Sequence, residues 1–189
     1  MEPLAIETER LALTPMPAGA IEALIDRDAA RLEKLTGAVF PRPLVAPPEN
    51  ADALPFFLSR LREEPSIAPW WMRVVVRRET REAVGTAGFV GEPDEAGTVT
   101  MGYAIYPAFQ GRGYATEVVR GLVGWALAQP AVLRVRATIM PDNAASRRVA
   151  EKAGLRRVET VDEGEDEGME VWEIDVVDGA PERIELGTG

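Results

Sequence analysis

Gln110-Gly111-Arg112-Gly113-Tyr114-Ala115 lies between a strand-like stretch, residues 99–106, and an apolar-striped stretch, residues 116–127. A strand, a glycine turn and a helix start therefore follow one another. Glycines at 111 and 113 leave the main chain bare, so several N–H groups can converge on one anion where the helix dipole also favours negative charge. The stretch reads as a cradle for a phosphorylated cofactor. Two familiar cradles fail to match it. A Walker loop places Lys and then Ser or Thr directly after its last glycine, whereas Gly113 is followed by Tyr114 and Ala115. A dinucleotide fingerprint needs glycine or alanine at position 116, which is Thr116, and a βαβ unit with an acidic residue suitably placed downstream.

At 189 residues the chain suits one medium domain, expected over residues 1–177, with a loose tail at 178–189. Hydrophobic residues at 46% and charged residues at 28% are ordinary for a folded protein. No apolar run approaches the roughly 18 residues of a membrane span. Residues 1–10 carry Glu2, Glu7 and Glu9 and lack the apolar core of a signal peptide, so the expectation is a cytoplasmic protein that does not engage membranes. With 0 cysteines and 0 histidines there is no disulfide framework, thiol nucleophile, imidazole base or Cys/His zinc site, and no metal is expected. A net charge of −10 argues against nucleic acid as a partner, because such binding rests on phosphate neutralisation. The same field opposes an anionic cofactor, so the cradle must rely on local N–H groups and on arginines such as Arg112, Arg147 and Arg148.

Outward from the cradle, residues 9–14 alternate as a first strand, broken by Pro15 and Pro17. Ile21, Leu24, Ile25, Leu32 and Leu35 share one helical face, which predicts a single helix over 18–35. Four prolines make 41–48 a loop, and Leu54, Phe57, Leu58 and Leu61 predict a second helix over 51–62. Residues 71–78 and 83–90 form a hairpin, and 98–106 is the strand entering the cradle. The helix over 115–128 ends before Pro130; a strand spans 133–140; Pro141-Asp142-Asn143 opens a helix that Gly154 closes. Residues 155–161 and 169–177 form the last strand pair, with an acidic, solvated tip at 162–168 between them.

Read together, residues 84–89, 101–126 and 133–158 resemble the GNAT superfamily of N-acetyltransferases. Gly102-Tyr103, the Gln-x-x-Gly-x-Ala signature at 110–115, Pro141-Asp142-Asn143, Ser146 and Glu151-Lys152-Ala153-Gly154 are most similar to the branch that acetylates the N-termini of ribosomal proteins. The resemblance implies an α/β (α+β) fold: a central mixed, mostly antiparallel sheet of about six to seven strands flanked by about four helices, splayed between the fourth and fifth strands. It implies acetyl-CoA as donor, with coenzyme A pyrophosphate on the main-chain N–H groups of Gly111, Arg112, Gly113, Tyr114, Ala115 and Thr116, and with Gln110 and Arg112 supporting the loop. It also implies that the Ile105 main chain grips the pantetheine and donates to the thioester oxygen, that Asn143 meets the pantetheine, Ser146 the sulfur and Arg147 the phosphates.

Each of these side chains has an ordinary alternative. Asn143 can simply cap a helix, Ser146 can bond the main chain, and Arg147 and Arg148 can be solvated surface charges. Trp70 and Trp71 read as strand packing, with lining of an acceptor pocket as the alternative. Without cysteine, direct sequential attack of the acceptor amine on the thioester is the simplest route. The amine must lose a proton, and Glu92, with Asp94 and Glu95 in the same loop, is the expected base. Many relatives carry a tyrosine acid seven residues after the asparagine; that position is Ala150 here, leaving Ser146 or water. The expected acceptor is a primary amine on a small molecule or a protein N-terminus, and the expected assembly a monomer or homodimer. The alternative is a weak or inactive acyl-CoA sensor.

Overall fold

The alternation of side chains along one valine-rich strand sets the layering of the molecule. Val75 packs into one hydrophobic cluster while Val74 and Val76 pack into another, as a period of two requires. The computed structural model describes residues 5–47, 51–161 and 167–176. Its strands are Ile6–Glu7 (β1), Leu11–Pro15 (β2), Arg73–Arg77 (β3), Ala83–Phe89 (β4), Thr98–Ile105 (β5), Arg134–Ile139 (β6), Arg156–Thr160 (β7) and Glu170–Asp175 (β8). Its α-helices are Ala18–Ile25 (α1), Ala29–Thr36 (α2), Leu54–Glu63 (α3), Tyr114–Leu127 (α4) and Ala144–Ala153 (α5). One sheet runs in the order β1-β2-β3-β4-β5-β6-β8-β7. The β5–β6 pair is parallel and the other pairs are antiparallel.

On one face, α4 presents Val118, Val119, Leu122 and Ala126 to Leu13, Val75, Val99 and Val135, with Ala150 of α5 and Trp172 closing the side. Leu122 is fully buried, and truncating such a residue to alanine ordinarily costs about 2–5 kcal/mol. On the other face, α1, α2 and α3 bring Ile21, Leu24, Leu32 and Leu61 onto Val74, Val76 and Trp71. Arg31 and Arg62 both reach the Glu22 carboxylate, tying α2 and α3 to α1. Between the two layers lies Arg73, fully buried, whose guanidinium donates to the carbonyls of Leu13 and Pro69 and sits 5.0 Å from the Trp125 ring centre. Burial lowers its pKa to about 10.

The mixed, mostly antiparallel sheet is as expected, with one strand and one helix more. The added strand is the two-residue β1, too short to show a pattern. The added helix arises because 18–35 is two helices: Arg27 adopts φ 57°, and the Asp28 side chain accepts from the Arg31 N–H at 3.0 Å and caps α2. Side-chain capping at Asp28 outweighs continuation of the apolar stripe, and Ile25 and Leu35 are left partly exposed. The splay expected between the fourth and fifth strands falls between β5 and β6 once β1 is counted. The acidic stretch 162–166 and the tail lie outside the described residues. Trp71 is buried and donates Nε1–H to the Phe57 carbonyl at 2.9 Å; Trp70 packs edge-on against Phe89 and Trp125. Both serve packing.

Gly85 pairs with Ile105 across β4 and β5, and a Cβ there would lie 2.2 Å from the Ala104 carbonyl oxygen and 3.0 Å from the Ile105 Cα. The two backbones approach too closely for a side chain. Gly85→Ala is expected to destabilise the fold by about 1–3 kcal/mol, read as a lowered urea midpoint at unchanged slope.

Candidate functional site

Two hydrogen bonds settle which way the main chain of β5 faces. The Val90 N–H donates to the Thr100 carbonyl and the Tyr106 N–H to the Val84 carbonyl. In an antiparallel pair such bonds recur at every second residue, so even-numbered residues of β5 bond to β4. The main-chain groups of Met101, Tyr103 and Ile105 therefore point toward β6. Ladder pairing with β6 runs only from Thr98–Arg134 through Val99–Val135 to Thr100–Arg136. Beyond Thr100 the parallel strands part, and a gap opens toward the end of β5 with main-chain donors and acceptors along its wall.

The glycine loop stands at the mouth of this gap. Gln110 donates Nε2–H to the Ile105 carbonyl at 2.9 Å, which fixes the end of β5 to the loop. Gly111 and Gly113 adopt φ of 73° and 81°, conformations that favour glycine. No atom lies within 4 Å of a Cβ placed on Gly111, so the cradle has open space above it. The first main-chain bond of α4 runs from the Glu117 N–H to the Gly113 carbonyl at 3.1 Å. The N–H groups of Tyr114, Ala115 and Thr116 thus precede the helical ladder at its positive end. Arg112 sits 5.7 Å from the Phe109 ring centre and is exposed.

A brace from the start of the chain holds the loop from behind. Arg10 donates Nη1–H to the Arg112 carbonyl at 3.2 Å, and its guanidinium lies 4.6 Å from the Tyr114 ring centre. Glu117 receives the Thr8 hydroxyl at 2.6 Å, the Arg10 N–H at 2.7 Å and the Arg10 Nε–H at 2.6 Å. Burial of Glu117 favours its neutral form, but the Thr8 and Arg10 donors together outweigh it and hold the carboxyl below its usual pKa. The braced cluster lines a cleft of about 720 Å³ with Arg120 and Lys152 on its rim.

The far side of the gap is the start of α5. Asn143 accepts the Ser146 N–H through Oδ1 at 3.0 Å, so it caps the helix and keeps its Nδ2 hydrogens as remaining donors. Ser146 is half-buried, and the Tyr103 hydroxyl donates to its Oγ at 3.2 Å. Arg147 extends to the buried Glu170, with Nη1 3.9 Å from Oε1, and that carboxylate is also met by Arg157 and by the Trp172 Nε1–H. The guanidinium is turned to β8 and away from the glycine loop. Ala150 is buried in the core and supplies no hydroxyl.

Ile105, Gln110, the loop residues, Asn143 and Ser146 are thus brought to one end of the gap. Glu92 is elsewhere. The bonds from the Val90 N–H to the Thr100 carbonyl and from the Asp94 N–H to the Thr98 carbonyl place its loop at the beginning of β5. Ile105 ends the strand, roughly 20 Å away at about 3.3 Å per residue. As base, Glu92 is not positioned to reach that end. Tyr103, Arg10 and Glu117 are not among the site residues to which the sequence points. Tyr103 had a signal, its place in the strand leading to the loop; Arg10 and Glu117 had none, since 107 positions separate them.

The family described as acetyltransferase (GNAT) domain matches residues 10–156. An uncharacterised N-acetyltransferase of Bacillus subtilis, YjdG, is 28% identical over 153 residues, spanning 79% of this chain and 88% of its own length. A putative ribosomal-protein-serine acetyltransferase from Vibrio cholerae superposes with a TM-score of 0.64 at 21% identity, covering 93% of this chain and 99% of its own. RimL, a ribosomal L7/L12 alpha-N-protein acetyltransferase solved in complex with coenzyme A, superposes with a TM-score of 0.63 at 16% identity, covering 91% and 98%.

The lowered pKa of Glu117 makes the brace pH-dependent. A carboxylate whose pKa falls on folding contributes stability that is present above its unfolded value, about 4.3, and lost as pH drops through the folded value. Glu117→Gln should therefore lower the urea midpoint at pH 7, and the difference from the unsubstituted protein should shrink as the pH falls below about 4. Paired denaturation curves at the two pH values provide the check.

Proposed function

This chain belongs to the GNAT acetyltransferase family, and on that premise we propose that it moves an acetyl group from acetyl-CoA to a primary amine, on a protein N-terminus or a small molecule, by direct sequential transfer. The observation that carries the proposal is the gap between β5 and β6 that ends in the braced glycine loop. Open space above Gly111 and an N–H cluster at the start of α4 suit a pyrophosphate, and a main-chain wall suits an extended amide-bearing arm bound as a strand would be. The bound donor would supply a thioester carbonyl open to attack by an amine.

Main-chain N–H groups of Gly111, Arg112, Gly113, Tyr114, Ala115 and Thr116 hold the phosphates, while Gln110 keeps Ile105 in register with them. The Ile105 N–H, directed into the gap, stabilises negative charge as it develops on the carbonyl oxygen; one such preorganised donor lowers a barrier by about 3 kcal/mol. Asn143 orients the pantetheine with its free amide hydrogens. Ser146, beside it, gives a proton to the departing sulfur. The position of Glu92 supports no role for it at that end, so water takes the proton from the acceptor amine. Orientation of the two reactants contributes roughly 7 kcal/mol or more without a dedicated base. Arg147 acts through Glu170 and β8 by keeping the start of α5 against the sheet.

Acetyl-CoA incubated with a panel of amines, including N-terminal peptides, should release free thiol, with a mass gain of one acetyl group on the acceptor. Tight coenzyme A binding without transfer would instead establish the sensor reading. Coenzyme A, and neither ATP nor NAD, should raise the melting temperature. Gly111→Ala, which meets no neighbouring atom yet must adopt a positive φ, should leave the fold intact and weaken coenzyme A binding by about tenfold in calorimetry.

A further inference from the structure

Among the described residues, one hydroxyl pair bridges the gap: Tyr103 on β5 and Ser146 at the start of α5, 3.2 Å apart. Tyr103 shares its strand face with Met101 and Ile105, the face covered by α4 and α5, and is itself packed against that core. Its donor therefore comes from the rigid side of the site. Ser146 is held by its own N–H bond to Asn143, so both ends of the pair are fixed independently of any ligand. A serine hydroxyl has one hydrogen; to donate that hydrogen toward the gap it is best supplied with a donor on its oxygen from behind. Arg147, the next residue along α5, faces Glu170.

We propose that Tyr103 is the positioning residue for Ser146 and the second member of a proton relay to the leaving thiolate. The assignment rests on the acetyltransfer reading above. As the amine nitrogen forms its bond to the acyl carbon, the carbon–sulfur bond breaks and its electron pair passes to sulfur. Ser146 Oγ–H gives its proton to that sulfur, and the Tyr103 O–H gives its proton to Ser146 Oγ. The proton released by the attacking amine returns through water to the Tyr103 phenolate, so the protein leaves the cycle in its starting state. The pair thereby fills the role left vacant by Ala150.

The test compares Tyr103→Phe, Ser146→Ala and the double variant, each first shown to bind coenzyme A. Phenylalanine keeps the ring that packs in the core. Ser146→Ala should lower kcat by roughly a hundredfold, and Tyr103→Phe by about tenfold, with KM for acetyl-CoA changed less than about twofold. The double variant should match Ser146→Ala alone, since Tyr103 acts only through Ser146. A second readout needs no turnover. Ultraviolet titration of the thiol of bound coenzyme A should give a lower pKa in the unsubstituted protein than in Tyr103→Phe, and the highest in Ser146→Ala. Independent, multiplying losses in kcat, or a bound-thiol pKa unmoved by Tyr103→Phe, would overturn the relay. Should Tyr103→Phe not fold, an unaltered bound-thiol pKa in Ser146→Ala would overturn it equally. If the unsubstituted protein binds coenzyme A but transfers acetyl to no amine, the acetyltransfer reading itself falls and takes the relay with it.

Discussion

Parallel strands joined by hydrogen bonds normally run together to the end of the shorter one. In this molecule β5 and β6 share three registered pairs and then separate, and most other features of the structure can be understood as making that separation tolerable. Backbone groups withdrawn from a ladder must find other partners, because an unsatisfied buried polar group costs on the order of 1–3 kcal/mol. Gln110 answers part of this need by occupying the Ile105 carbonyl. Helix α4 packs on both β5 and β6, in one apolar cluster with Val99, Ile105, Val135 and Ile139.

The two faces of the sheet divide their labour. The α4 and α5 face carries the loop, the cap at Asn143 and the hydroxyl pair, all anchored to the larger hydrophobic cluster. The opposite face carries α1, α2 and α3, whose contacts with the sheet end on β3 and β4, as membership of Val74, Val76 and Ala83 in their cluster shows. Gly102 on β5 is exposed, with nothing near a Cβ position. At Gly102 the side of β5 facing away from α4 is open.

How much of this could be read from the chain follows from how local each constraint is. The loop was legible because glycines 111 and 113, a strand before them and an apolar stripe after them are contiguous. Helix α4 obeyed its period. The break at Arg27 was hidden because the apolar positions on either side fit one continuous helix, and only the Asp28 cap distinguishes the two cases. The brace between Arg10 and Glu117 and the pair between Tyr103 and Ser146 join positions 107 and 43 apart, and no local pattern announces them. Glu92 is a different case. A hairpin loop before β5 must lie at that strand's first end, while the cradle lies at its last, so antiparallel geometry alone separates them.

The brace bears on the order in which the domain folds. Residues 8 and 10 lie 109 and 107 positions from Glu117, so the loop whose carbonyl Arg10 holds takes its final shape only once contacts of long sequence separation have formed. Contacts of such sequence separation form late and slowly. The segment from Thr8 to Arg10 is therefore a strap fastened late in folding, and the final shape of the glycine loop reports that it is in place.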